Sequence, residues 1–261
     1  MAIGIDTRFM ASKESTYDTR VTPARGFVIA EDNVAYEHGL YESVGLGGGR
    51  WQRNVLNTTQ RGSGTYRMEV PTVGFGFWLD LLHSNTITPV QQASTLAYLQ
   101  THTLSTGPTK SISVQVQKPP TGSATLLPFD YTGVMLSQIE FSWEPAAVLM
   151  AVMTLVARSE DLSQSLVTPT VPAFELYSFK GGSITIGATP VADITGGGSV
   201  SVGATMRDDT YALGTGGKIA KPTESDRPVA EGRFTADFTD MTHYNRVLNQ
   251  TIADVVLKFE G

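Results

Sequence analysis

The 261 residues include no cysteine, which removes thiolate metal sites, cysteine nucleophiles and disulfide staples in one step. Histidine is scarce: His38, His83, His102 and His243 are the only four, and none stands at a paired metal-ligand spacing from another. Long apolar runs are missing as well. The longest, Ala146–Ala157, is about a dozen residues, against the roughly 20 that a membrane helix needs. Residues 1–10 carry Asp6 and Arg8 and lack the apolar core of a signal peptide. A soluble chain made in a cytoplasm is expected. Basic clusters are also absent, and the formal charge is −6 with a pI near 5.2. Such a chain is poorly equipped to grip nucleic acid, because phosphate neutralisation by Lys and Arg supplies most non-specific affinity. It is compatible with a surface along which DNA slides.

What is present is glycine (26), proline (13) and period-two patterning. Hydrophobic residues make up 41% and charged residues 17%, which supplies a packed core and argues against general disorder. Ile112, Val114 and Val116 alternate with Ser111, Ser113, Gln115 and Gln117. Phe129, Tyr131, Met135, Ile139, Phe141 and Trp143 all fall on odd positions, one face of a long strand if it is unbroken. Ile184/Ile186, Val200/Val202, Phe234/Ala236/Phe238 and Val255/Leu257/Phe259 repeat the pattern. Alternating strands with one polar face argue for antiparallel sheets. Ala146–Ala157 reads as a buried strand from its Val148, Val152, Thr154 and Val156. One helix is expected, over Phe75–His83, where Phe75, Trp78, Leu79 and Leu82 lie at helical spacing, with Thr72 as its cap and Gly74 and Gly76 weakening its first turn. The segments Gly181–Thr189 and Gly197–Thr205 are near-copies and read as two strands of similar build. Val167–Pro172 reads as a crossing between two sheets. Gly45–Thr65 and Leu213–Pro228, both rich in glycine, read as long loops, a length that usually marks function or disorder.

Catalytic motifs fail residue by residue. A phosphate loop ending at Gly217-Lys218 needs Gly at 212 and Ser or Thr at 219; the chain has Ala212 and Ile219. Dinucleotide-type glycine patterns begun at Gly214 or Gly45 end on Ile219 or Arg50. A nucleophile elbow on Ser199 meets Ser201 where glycine is required. Asp208-Asp209 and Asp237/Asp240 are carboxylate pairs in sequence only, read as solvated turn residues. The expectation is a non-enzyme with no cofactor and no metal.

The order of the segments resembles the major tail tube proteins of long-tailed (siphovirus-type) bacteriophages. Ser12-Lys13-Glu14-Ser15-Thr16-Tyr17-Asp18-Thr19 with Pro23 resembles the family's opening motif, with Asp18 where the family has Gly. Gly74–Leu82 resembles its single core helix. Thr101–Leu104, Ile112–Val116, Phe129–Val134 and their continuation through Met135–Phe141 and Leu149–Ala157 are similar to its central strands; Gly232–Phe238 and Val255–Phe259 are similar to its C-terminal pattern. The resemblance implies an antiparallel β-sandwich or half-barrel with one core α-helix and long loops, in one tail tube domain over 1–261 with no C-terminal immunoglobulin-like domain. It further implies hexameric rings stacked into a virion tail tube with a β-barrel lumen for genome ejection through a long flexible tail. The partners it implies are other copies of the chain, the tape measure protein and DNA in the lumen, and the tail-tip and tail-terminator proteins, with synthesis in the host bacterial cytoplasm and no membrane binding.

Within Gly45–Thr65, the residues Gly47, Gly48, Gly49, Arg50, Trp51 and Arg53 are the candidate subunit contacts. Glycines are costly to order, and Arg and Trp are enriched at interface hot spots, so mobility in a monomer and order on contact are expected. A glycan- or receptor-binding sandwich is the alternative, but it calls for exposed aromatics, and only Trp51 of the three tryptophans falls in a loop; Trp78 and Trp143 sit in core patterns. A polysaccharide-degrading enzyme needs a carboxylate pair that the sequence does not bring together.

Overall fold

The computed structural model describes residues 7–44, 55–84, 87–95, 97–103, 109–121, 123, 125–187, 189–191, 194–239 and 241–260. The strands in its first half are β1 (Arg8–Lys13), β2 (Arg25–Phe27), β3 (Glu31–Asp32), β4 (Ala35–Glu42), β5 (Val55–Glu69), β6 (Val90–Gln91), β7 (Tyr98–Leu99), β8 (Ile112–Lys118) and β9 (Leu127–Trp143). Those in its second half are β10 (Met150–Ala157), β11 (Ser159–Asp161), β12 (Gly182–Ile186), β13 (Thr189–Pro190), β14 (Gly198–Gly203), β15 (Met206–Arg207), β16 (Thr223–Glu224), β17 (Val229–Phe234) and β18 (Val255–Phe259). Among the described residues two α-helices accompany them, α1 (Gly76–His83) and α2 (Thr242–Leu248). The fold is mainly β and its strand ladders are antiparallel, as the alternation implies.

β9 holds the architecture together because it belongs to two sheets. Its first half pairs with β8 and β11, its second half with β10 and β14. The first sheet runs β2-β1-β8-β9-β11 and the second β17-β14-β9-β10-β5, with β3 and β4 on the far side of β5. The odd-position pattern of β9 does not survive intact. One extra residue opposite Ile112/Val114 and another opposite Thr154/Leu155 slip the register. The core side chains therefore switch from Tyr131 to Val134 and Leu136, then back to Ile139 and Trp143, while Met135 turns to the opposite face. Each bulge adds one residue to a period of two and so flips the face.

The first bulge is built on Gly133, at φ +61°. The opening motif locks it. The Glu14 carboxylate accepts hydrogen bonds from the Gly133 amide (2.9 Å), the Ser111 and Ser113 hydroxyls (2.6 and 2.9 Å) and the Asp18 amide (2.9 Å). Asp18 is itself left-handed, at φ +59°, which is why glycine suits that place. Here its carboxylate accepts from the Thr132 hydroxyl at 2.7 Å and pairs with Arg158.

The polar face of β8 is buried, not solvated. Ser113, Gln115 and Gln117 are as inaccessible as Ile112, Val114 and Val116 on the other side. Chain 162–170 lies over them. The Gln115 and Gln117 amides donate to the Ser165 and Val167 carbonyls (3.0 and 2.6 Å), the Val167 amide donates to Gln115, and Asp130 takes Gln115 on one oxygen and Arg20 on the other. Buried amides are tolerated because each finds a partner. Residues 170–178 then cross from β2 towards the second sheet, exchanging backbone bonds with Ala24 and Gly26, then with Val70, Thr72 and Leu149.

Between the sheets lie Phe9, Phe27, Tyr66, Met68, Trp78, Leu136, Met153 and Leu155, with Phe9 and Tyr66 edge-to-face at 4.5 Å. α1 plugs one side of this core through Phe77, Trp78, Leu81 and Leu82. No side chain caps it. Thr72 instead accepts from the Glu175 amide with its hydroxyl, so its expected capping role is corrected. The near-copies become β12 and β14 in different sheets, β12 pairing with β18. Ala146–Ala157 is strand from Met150 onward, after a turn with Ala146 at positive φ.

Three further expectations are revised. Residues 55–65 belong to β5, not to a loop; over 55–61 the backbone pairs with β4 and no residue is fully buried, so no apolar period marks that part of the strand. Leu213–Pro228 is anchored by β16, by buried Ile219 and by a bridge from Lys218 to Gln60. The Phe234–Phe238 alternation ends at Phe234, and α2, which has no buried residue, follows it.

Asp80 on α1, buried at 5% exposure, joins Lys13 of β1 and Lys110 (2.7 Å). Burial alone would push its carboxyl up, but hydrogen bonds from Lys110 and Lys13 outweigh that and hold it below the usual 3.8. A depressed carboxyl stabilises the fold above its unfolded value and loses that contribution as pH falls through the folded one. Urea melts should therefore show an acid-induced loss beginning below about pH 4 that is reduced in Asp80→Asn. Gly133→Ala forces a side chain into the left-handed region within 3.0–3.2 Å of Arg158 and Tyr17, and should cost about 2 kcal/mol in the same melts. An unchanged midpoint would show that the bulge is not held as described.

Candidate assembly interface

Among the described residues, the second sheet is incomplete at both edges. β17 pairs only with β14, and all six of its residues are exposed. On the other side β4 pairs only with β5. The outward backbone groups of both strands have no strand partner among the described residues, and such edges template further pairing.

Beyond the sheet, β4 and β5 continue as a two-stranded ribbon. β10 backs β5 only over Gly62–Glu69, leaving Val55–Arg61 paired with β4 and, at Gln60, bridged to Lys218. Ribbons of this kind are marginal in water without further packing. This one carries exposed Leu40 (66%), Tyr41, Val55 and Leu56, with exposed Val44 just past the end of β4. Its base is held by the Gln60 amide donating to the Gly217 carbonyl at 2.6 Å, and its middle by Asn57 against His38 at 2.8 Å. Gly47, Gly48, Gly49, Arg50, Trp51 and Arg53 fall between β4 and β5 in the sequence and lie outside the described residues. The ribbon's apolar residues were missed by sequence reasoning because they follow no single period, being split between two strands that neither sheet buries.

The face of the second sheet turned away from the core is polar. Register places Glu231, Ser201, Glu140, Val152, Arg67 and Glu31 in one row across the strands. The next row is Arg233, Ser199, Ser142, Met150 and Glu69, and a third is Val229, Gly203, Gln138, Thr154 and Thr65. Four carboxylates thus stand against two guanidiniums, among hydroxyls and small residues.

Elsewhere the candidate chemistry disperses. Asp208 pairs with Arg61 at 3.0 Å and Asp237 takes the Thr195 hydroxyl at 3.1 Å, while Asp240 lies outside the described residues. His83 and His102 come together with ring centres 6.4 Å apart, and burial pushes both towards the neutral form. Among the described residues no group of three or more His, Asp or Glu is placed to hold a metal ion, and no helix is long and apolar enough to cross a membrane. Trp78 and Trp143 are buried, as their patterns require.

A family model described as phage tail tube protein matches residues 4–261. The chain belongs to the phage tail tube protein family. It matches no curated protein. A tail tube protein is a structural component of the virion tail, of a non-enzymatic kind, and self-assembly into a tube with other tail proteins goes with the family. In this tail tube protein, the open edges and the unsupported ribbon are the features that self-assembly would complete. Leu40→Asp and Leu56→Asp should change monomer stability by less than about 0.5 kcal/mol, since both side chains are already in water. The same substitutions should abolish assembly seen by sedimentation. Wild-type assembly of both variants would remove the ribbon from the interface.

Proposed function

We propose that this protein stacks as hexameric rings into the tail tube of a long-tailed, siphovirus-type phage and conducts the genome into the host. The observation that carries this reading is the second sheet, which combines two open edges with a polar outer face. β17 of one copy beside β4 of the next joins six sheets into one β-barrel and leaves no edge exposed. The polar face then lines the lumen. The ribbon, with Gly47, Gly48, Gly49, Arg50, Trp51 and Arg53 in its connecting segment, meets a neighbouring subunit or ring. The tape measure protein and then DNA occupy the lumen, and tail-tip and tail-terminator proteins bind the ends. The chain acts as a single tail tube domain, without catalysis or cofactor, and is made in the host bacterial cytoplasm.

Concentrated protein, alone or with a tail-tip complex, should give rings or tubes of sixfold symmetry by negative stain. A strict monomer in both conditions would overturn the reading. Amide exchange in residues 36–42 and 55–61 should be fast in the monomer and slow in the tube.

The lumen charge follows from the rows of the polar face. Like charge repels phosphate, so DNA finds no counterion-release affinity there. Wild-type tubes should not retain DNA at low salt, whereas tubes carrying Glu140→Lys with Glu231→Lys should retain it in a salt-sensitive way. Tight retention by wild-type tubes would contradict the assignment of this face.

A further inference from the structure

An open cleft of about 330 Å³ lies over α1, away from the ribbon and from both edges of the second sheet. Three cations line it, Lys13, Arg25 and Lys110, with Asp80 between the two lysines. The Arg25 guanidinium rests on the rings of Phe27 and Phe77, 5.5 and 5.8 Å from their centres. It lies so close to Gly74 that a side chain there would meet it. Among the described residues no carboxylate pairs with Arg25. Among the described residues one carboxylate therefore faces three cations, and the sequence 84–109, in which Ile87, Pro89 and Gln100 line the cleft, contains no Asp or Glu.

A half-buried guanidinium has given up water without gaining an anion, which is unfavourable until one arrives. Its planar fork matches a carboxylate in two parallel hydrogen bonds, and stacking on two rings holds the fork in place. The chain as a whole carries −6, so the cleft is a local cationic exception on an acidic molecule. In an assembly of identical copies, contacts between unlike surfaces place this cleft opposite another acidic chain. None of its residues belongs to the polar face of the second sheet, so DNA is not the anion it would meet.

We propose that the cleft receives an exposed carboxylate side chain from a second copy of this chain, gripped by Arg25 and flanked by Lys13 and Lys110. The proposal rests on tube assembly. Tubes grown from an equal mixture of isotope-labelled and unlabelled chains are treated with a carbodiimide, which joins a lysine amine and a touching carboxylate as an amide with loss of water. Mass spectrometry should find Lys13 or Lys110 linked to an acidic peptide of the other isotope, beside same-chain links to Asp80. Assembled tubes in which both lysines link only to their own Asp80 would overturn the proposal. Arg25→Met keeps an apolar side chain on the rings; the monomer should melt at or above the wild-type temperature while tube yield falls about tenfold. Wild-type yield from that variant would also overturn it, as would saturable binding of inorganic phosphate to the monomer without any link between copies, which would make the occupant a free anion. A wild-type protein that never forms tubes fails the proposed function itself, before the cleft is reached.

Discussion

The structure depends on one strand serving two sheets. β9 can do so only because it breaks its own period twice, and the first break is a left-handed glycine held by the Glu14 carboxylate. Without the bulge at Gly133, Val134 and Leu136 would leave the core and the first sheet would part from the second. The opening motif is thus a lock on the central strand, which accounts for a glutamate and a left-handed residue four positions apart at the start of the chain.

The second consequence of sharing β9 is an unfinished sheet. The first sheet is closed over by residues 14–23 and 162–170 and bridged at its β2 edge by Thr170. The second is covered less: one face packs on the core, and on the other, among the described residues, chain 204–208 and 226–227 borders the end that carries Gln138, Thr154 and Gly203, while both edges stay open. The molecule thus shares its covering segments unevenly between the two sheets. That asymmetry makes a tube wall, rather than a closed sandwich, the arrangement that finishes the protein.

Much of this was legible in the sequence because burial on one face leaves a period of two. Ile112–Val116, Ile184/Ile186 and Val255–Phe259 were read correctly for that reason, and α1 for its period near four. The failures share a physical cause. Gln115 and Gln117 alternate as a solvated face would, and only the chain folded over them shows that they are buried donors. β5 from Val55 to Arg61 buries neither face and so leaves no pattern. Exposed α2 has no apolar stripe facing a core. The bulges of β9 were hidden because Met135 kept the odd-position pattern going across a reversal of face. Of the candidate interface, only residues 45–65 attracted notice, for Gly47, Gly48 and Gly49 together with Arg50, Trp51 and Arg53; the pairing of the ribbon arms, the open edges and the charged cleft arise from contacts between distant residues.

A reconstruction of the assembled tube at a resolution that separates strands tests the account most directly. It should show β17 of each copy hydrogen-bonded to β4 of the next, six times round, with Glu140 and Glu231 facing the channel. A tube in which these strands remain unpaired, or in which that face is turned outward or towards a neighbouring ring, would contradict it.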